Sequence, residues 1–235
     1  MLDVIIPIPT HLLEAAEDCI QDVAEQTDIP TRLVVVFDGC TKSDASRIDG
    51  LLRALPNEFS VIRNHQPQYL NGCISASLDY LLSPLVALIP PEVRLDDEGW
   101  FGKMWKVFQR DPQTYVVDAA PNTQSTSANP VRRNRHRLPE DIRFAMLKRE
   151  ALTRLGVPIK DGEPVHFWSK RSLEDGGTSW HAPAVRYSVL DVERQETWRA
   201  RSPKRKAQFE SPLPTTQASS TPTTTEEDGS MGFTV

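Results

Sequence analysis

The sequence holds few cysteines, and they follow no pairing pattern. Cys19, Cys40 and Cys73 are odd in number and show no CxxC spacing, which argues against a disulfide framework or a structural zinc site. Unpaired thiols fit a reducing compartment, so a cytoplasmic location is expected. No basic segment followed by a long apolar one opens the chain, and no signal peptide is expected. No apolar run approaches the ~20 residues that cross a bilayer, so no membrane span is expected. Neither early strand is followed by GxGxxG, and GxxxxGK[ST] does not occur. Dinucleotide-binding and P-loop readings therefore lack their phosphate cradles. The GxSxG of serine hydrolases is missing as well. Nor is there an excess of positive charge. A quarter of the residues are charged and the formal net charge is -5, so the surface as a whole is not built to grip nucleic acid. Any anion site must be local.

What is present is an alternation of short apolar runs and amphipathic stretches. Val4 to Ile8 reads as a strand, and "HLLEAAEDCIQDVAEQT" follows with helical spacing. "TRLVVVFDGC" is rich in Val and reads as a buried strand. "KSDASRIDGLLRAL" reads as a helix with Ser43 or Asp44 as its N-cap. "FSVIRN" and "LVALI" read as further strands, with the helix "NGCISASLDYLL" between them. "DDEGWFGKMWKVFQRDP" is expected to be a helix, and "TYVVDAAPN" a strand. Such alternation predicts a largely parallel sheet with helices on both faces. After Asn122 the pattern breaks into a polar, basic loop, "NTQSTSANPVRRNRHRLPED". "IRFAMLKREALTRLG" then reads as a helix stopped by Gly156, "PVHFWSKRSLEDGG" as another helix, and "APAVRYSVL" as a strand. The Ser/Thr/Pro-rich segment 199–235 is expected to be a disordered tail. The rest, 1–198, is expected to be one domain with a nucleotide-binding half, 1–122, and an acceptor half, 123–198.

Three places carry candidate chemistry. Asp38 and Gly39 end the strongest strand, where a carboxylate can accept from a base or ribose and glycine admits a close ligand. The same pair suits an ordinary turn. "VALIPPEVRLDDEGW" follows a buried strand with Pro90, Pro91 and Glu92, and carboxylates return at Asp96, Asp97 and Glu98. Those three suit a helix start, with Asp96 as cap and the others complementing the dipole. "RRNRHR", Arg132 to Arg137, offers guanidinium forks that match phosphate oxygens. It suits a solvated patch or an anionic acceptor too, though it lacks the interleaved aromatics of single-strand binding. His11, His65, His136, His166 and His181 show no ligand spacing on one helix. Trp168 and Trp180 suit either sugar stacking or the core.

Taken in order, the pieces resemble the family 2 glycosyltransferases of the GT-A fold. That family shows a strand ending in IIPT, a helix ending in Q-T, a strand ending in DDGS, a helix opening with Asn and Gly, and a strand ending in a DxD-type motif. Here the counterparts are "VIIPIPTH", "AEQT", "VVVFDGC", "LNGCIS" and "LVALIPPE", and the resemblance covers residues 2–190. It implies a hexosyltransferase-type enzyme that uses a nucleotide-sugar donor. By the resemblance, Pro7, Pro9, Thr10, Asp38, Gly39, Asn71, Gly72 and Glu92 would bind the donor, and Glu163 would be the general base. The acceptor stays open between a protein, a glycan, a small molecule and a modified nucleic-acid base.

The sequence also departs from the family pattern. Phe37 replaces the first Asp of DDGS, and the DxD position reads Pro90-Pro91-Glu92. The ED pair is Glu163-Pro164, and Ser188 stands near the late metal-binding His. The resemblance implies Mg²⁺ or Mn²⁺, yet Glu92 alone would leave most of the ion's coordination to water and phosphate. The expectation is therefore a donor site that needs little or no divalent ion. Arg132, Arg133, Arg135 and Arg137 would neutralise the leaving diphosphate. The rival expectation is a catalytically inactive GT-A-like binding or scaffold protein.

Overall fold

The computed structural model describes residues 1–95, 97–122, 129–133, 143–158 and 164–190. The expected tail lies outside these residues, as do Asp96, Arg135, Arg137 and Glu163. The chain opens with β1 (Leu2–Pro9), a 3-10 turn at Thr10–Leu12 and α1 (Leu13–Gln26). β2 (Thr31–Asp38), α2 (Lys42–Ala54), β3 (Glu58–Asn64) and α3 (Tyr69–Ser77) follow. Next come β4 (Leu85–Leu88), β5 (Val93–Leu95), α4 (Trp100–Arg110) and β6 (Thr114–Pro121). The remainder is β7 (Val131–Arg132), β8 (Ala145–Lys148), α5 (Arg149–Leu155), α6 (Pro164–Glu174) and β9 (Thr178–Val189).

The sheet runs β3-β2-β1-β4-β8-β6-β9-β5, with β7 paired to β9. β1 pairs in parallel with β2 and β4, β2 with β3, and β6 with β9. β8 is antiparallel to both β4 and β6, and β5 and β7 are antiparallel to β9. The sheet is thus mixed rather than largely parallel. Helices flank both faces, as the alternation predicts. One core holds Ile6, Ile8 and Val35 with Ala16 and Ile20 of α1 and Trp100 and Met104 of α4. The other holds Ile5, Val34 and Leu88 with Ile74 of α3, Leu152 of α5 and Trp168 of α6. Burying such aliphatic side chains contributes roughly 1.5–3 kcal/mol each.

Three local expectations are corrected. "FAML" was expected to open a helix, but Ala145–Lys148 forms β8, and the helix is only Arg149–Leu155. Phe144 and Met146 pack into one core, Ala145 and Leu147 into the other. A central strand needs both faces apolar, and a short apolar run does not distinguish strand from helix by periodicity. The α2 cap is Thr41 instead of Ser43 or Asp44. Its hydroxyl accepts from the Asp44 N–H at 3.2 Å while the Asp44 carboxylate accepts from the Thr41 N–H at 3.1 Å, a capping box. The α4 cap is Gly99, left-handed at φ 74°, instead of Asp96. Asp97 pairs with Lys103.

Candidate functional site

In an open α/β sheet the ligand edge lies beyond the carboxyl ends of the strands. β1 and β2 end together there, with Pro9 beside Asp38 in register, while β4 ends earlier, at Leu88 opposite Ile5. β8 runs the other way, so its start lies at that same edge, with Ala145 beside Leu88 at the end of β4. Arg143, two residues earlier, thereby lies beside the turn that follows β4.

Asp38 is buried and holds the opposite loop. Its carboxylate accepts from the N–H groups of Gln68 at 2.7 Å and Tyr69 at 2.9 Å, and from the Asn64 amide at 3.3 Å. Those N–H groups open α3, so Asp38 acts as a remote cap and places negative charge at the positive end of the helix. Tyr69 is left-handed there, at φ 58°. Gly39 is also left-handed, at φ 71°, and a Cβ on it would lie 2.9 Å from Pro67 Cγ. The Asp-Gly pair thus locks the end of β2 against the β3–α3 loop. Thr10 is exposed and donates to the Gly39 carbonyl at 3.3 Å. Pro9, Thr10, Asp38 and Gly39 therefore form one cluster, and Asn71 and Gly72 lie in the helix that Asp38 caps. Asn71 is buried, and a Cβ on Gly72 would meet Gln68 Cβ at 2.5 Å. Pro7 sits inside β1, paired with Val36 and buried.

Glu92 lies just past β4, in a turn closed by the Val93 N–H donating to the Pro90 carbonyl at 2.9 Å. It is fully buried. The Arg143 guanidinium lies 3.5 Å from its Oε1. The backbone of Arg143 is anchored as well, its N–H donating to the buried Tyr187 hydroxyl at 3.0 Å. Phe144 packs edge-on against Tyr187 and Trp100, at 6.2 and 5.1 Å between ring centroids. These residues do not fit a divalent ion. The carboxylate is enclosed beside a cation, and Pro90 and Pro91 offer no side-chain oxygen. Ser188, near the expected late ligand, sits on β9 opposite Arg94. Among the described residues no group of three His, Cys, Asp or Glu side chains is placed to hold a metal.

The basic loop divides. Arg132 is exposed on β7. Arg133 turns inward and grips the buried Asp118 with both arms of its fork, Nε to Oδ2 at 3.2 Å and Nη2 to Oδ1 at 2.8 Å. His181 Nδ1 meets the same Asp118 carboxylate. This cluster pins β7 onto β6 and β9. Sequence reading missed Asp118 and Arg143, and named His181 only among the histidines without ligand spacing. The available signal for Asp118 was one charge inside an apolar run, "YVVDAA", since a charge on a buried strand must be paired. The cysteines are free thiols, and burial pushes Cys40 and Cys73 above their ordinary range. No helix among the described residues is long and apolar enough to cross a membrane.

This mixed sheet, with Pro9 and Asp38 at the carboxyl ends of its first two strands and helices on both faces, is a GT-A-type fold. The sequence profile described as Glycosyl transferase family 2 matches residues 3–174, and the chain belongs to that family. A mannosyltransferase from Pyrobaculum calidifontis, PcManGT, solved with GDP-Man and Mn²⁺, superposes with TM-score 0.66 at 18% identity over 82% of this chain and 57% of its own. GalNAc-T7, solved with UDP, GalNAc and Mn²⁺, gives TM-score 0.67 at 12% identity over 83% of this chain and 44% of its own. Residues 1-349 of S. aureus TarS give TM-score 0.62 at 12% identity over 79% and 59%. This chain therefore spans about half the length of these solved structures. No curated protein matches in sequence.

Proposed function

We propose that the chain transfers a hexosyl group from a nucleotide-sugar donor to a hydroxyl acceptor. The observation that carries this is the family match across residues 3–174. Pro9, Thr10, Asp38 and Gly39 would hold the nucleotide, with Asn71 and Gly72 beside them. In the transfer, the acceptor oxygen bonds to the anomeric carbon and the bond from that carbon to the diphosphate oxygen breaks. The diphosphate leaves with the electron pair, and the acceptor proton passes to a carboxylate. Glu163, which immediately precedes α6, is the proposed base. The reaction is proposed to need little or no divalent ion, supported by the enclosed Glu92 beside Arg143. Arg132 remains a candidate for phosphate neutralisation, and Arg133 serves the same purpose only if it leaves Asp118.

A screen of UDP-, GDP-, CMP- and dTDP-sugars by thermal shift, with Mn²⁺ and with EDTA, tests the donor reading, since a ligand of the folded state raises apparent stability. Stabilisation by one donor class, followed by release of nucleotide in a transfer or hydrolysis assay, is the expected result. The second reading is a GT-A-like binding protein without turnover. Pro164 in place of the second ED carboxylate favours it, and donor binding with no nucleotide release under any acceptor supply would establish it. The three free thiols are consistent with a reducing, cytoplasmic setting.

A further inference from the structure

One edge of the sheet is long and open. We propose that β3 pairs with β3 of a second copy of this chain, antiparallel about a two-fold axis at Val61, and so joins two sheets into one.

The edge itself is the first argument. β3 ends the strand order and is hydrogen-bonded to β2 on one side alone. Its register with β2 runs unbroken from Glu58 to Asn64, so no bulge bends it away. Its seven residues exceed the usual strand of about five to six. They include neither proline nor lysine, so the common devices that blunt an exposed edge are missing. At the other end of the order, β5 is blunted by its length, three residues.

The direction of the backbone groups is the second. In a parallel ladder one residue turns its N–H and C=O to a neighbour, and the next residue turns both the other way. The Asn64 carbonyl accepts from the Gly39 N–H at 2.9 Å, at the end of the β2 ladder. Ser60, Ile62 and Asn64 therefore face β2, and Phe59, Val61 and Arg63 point their backbone groups outward. Among the described residues no other element takes those groups.

Self-complementarity is the third, and it selects the occupant. A two-fold axis at Val61 places Val61 opposite its own copy, Phe59 opposite Arg63, and Glu58 opposite Asn64. Outward-facing residues then meet outward-facing residues, as the pairs that exchange both hydrogen bonds require. No like charges stand opposite one another, an arrangement that would destabilise a cross-strand pair. Phe59 is 40% exposed and belongs to neither core. It shares one face of the strand with Val61 and Arg63. On that face the Arg63 guanidinium lies 4.9 Å over the Phe37 ring of β2 and pairs with Asp49 of α2. Phe59 of the second copy then lies on the outer side of the same arginine, which stands between two rings. An unrelated extended segment offers the same hydrogen bonds but supplies no matched phenylalanine and arginine.

The test is sedimentation equilibrium of the full chain from about 1 to 200 µM, a range in which small interfaces associate, with amide exchange read residue by residue. The wild type is expected to move from one chain mass toward two. The Phe59, Val61 and Arg63 amides should slow at least about tenfold at the high concentration, while Ser60 and Ile62, already bonded to β2, change less. Phe59→Lys puts a cation opposite Arg63 and should weaken the dimer at least about tenfold. Phe59→Glu removes the same ring but puts an anion there, and should dimerise at least about threefold more tightly than Phe59→Lys. Position 59 is exposed, so both variants should keep the wild-type circular dichroism. A wild type that stays monomeric throughout, a dimer untouched by Phe59→Lys, equal losses in the two variants, or protection that misses the outward amides would each overturn the proposal.

Discussion

Two buried carboxylate–arginine pairs sit at opposite ends of the same sheet, and they are built differently. At the amino ends, Asp3 of β1 faces Arg32 of β2, both almost fully buried. Asp3 accepts from Arg32 Nε at 3.1 Å and Nη2 at 2.9 Å. It also accepts from the N–H groups of Leu82 and Ser83 at 2.6 and 2.8 Å, and from the Ser83 hydroxyl at 2.7 Å. Arg32 completes the set by donating to the Tyr80 carbonyl. At the carboxyl ends, Glu92 has Arg143 at 3.5 Å. The first pair is saturated by the protein and leaves nothing for a ligand. The second joins the turn after β4 to the residue before β8, whose backbone N–H donates to the Tyr187 hydroxyl. The same two charge types thus tie neighbouring strands together in a latch at one end of the sheet and clasp the turn after β4 to the start of β8 at the other.

Breaking the latch should produce the largest effect. Asp3→Ala strands a buried guanidinium and two backbone donors, and the expected loss is about 3–5 kcal/mol of folding stability. Urea unfolding measures it, and a loss below about 1 kcal/mol would show that the network is not a latch. Acid should act on the same group. Burial pushes the Asp3 carboxyl up, but the Arg32, Ser83 and Leu82 donors together outweigh it and hold the group below its ordinary value. A depressed folded pKa gives stability that is fully present above the unfolded value, near ~3.9, and lost as pH falls through the folded value. The acid limb of the stability curve should therefore flatten in Asp3→Asn. Asp111 is lowered in the same sense despite the opposing push of burial, chiefly by Thr178 and Trp180 donors, and Asp111→Asn should flatten the limb less.

Asp38→Ala comes next and sharpens the comparison from the ligand edge. It should cost about 1–2 kcal/mol, because the first N–H groups of α3 lose their acceptor. It should also abolish nucleotide-induced stabilisation in thermal shift. Full nucleotide stabilisation in a folded Asp38→Ala would leave Asp38 a cap and nothing more.

The two ends were not equally legible in the sequence. β1, β2 and β3, with the helices between them, follow from apolar runs and helical spacing, because each strand there has its own bounded run. The acceptor half was harder. "FAML" has the composition of either element, and its place between β4 and β6 is a long-range fact that no local window contains. β5, Val93–Leu95, is too short to show alternation. Asp38 stood out as the acid ending a strand, but its partners Gln68 and Tyr69 lie 30 and 31 residues away. Glu92 was visible as a surviving acid after two prolines. Arg143, 51 positions further on, carries no mark in the sequence until β8 reverses direction and brings it to the same edge. The basic run 132–137 looked like one patch, yet its two described arginines point to different tasks, one exposed and one committed to Asp118.

The smallest expected effect is a control on that edge. Thr41 and Asp38 lie three residues apart on the loop leaving β2, and each satisfies the start of a helix. Thr41 does so locally, through the exposed capping box with Asp44. Asp38 does so across the sheet edge, from a buried position. Thr41→Ala removes the hydroxyl that accepts from the Asp44 N–H, and losses at such caps are about 1 kcal/mol. The partner donor is solvent-exposed, so water replaces much of what is lost, and the value should fall at or below that figure in urea unfolding. The cap geometry of α3 does not involve Thr41, so nucleotide-induced stabilisation should persist with affinity within about twofold of wild type. If Thr41→Ala weakens nucleotide binding as strongly as Asp38→Ala does, the whole loop from Asp38 to Asp44 belongs to the ligand site, and the contrast between a local cap and a ligand-facing one is wrong.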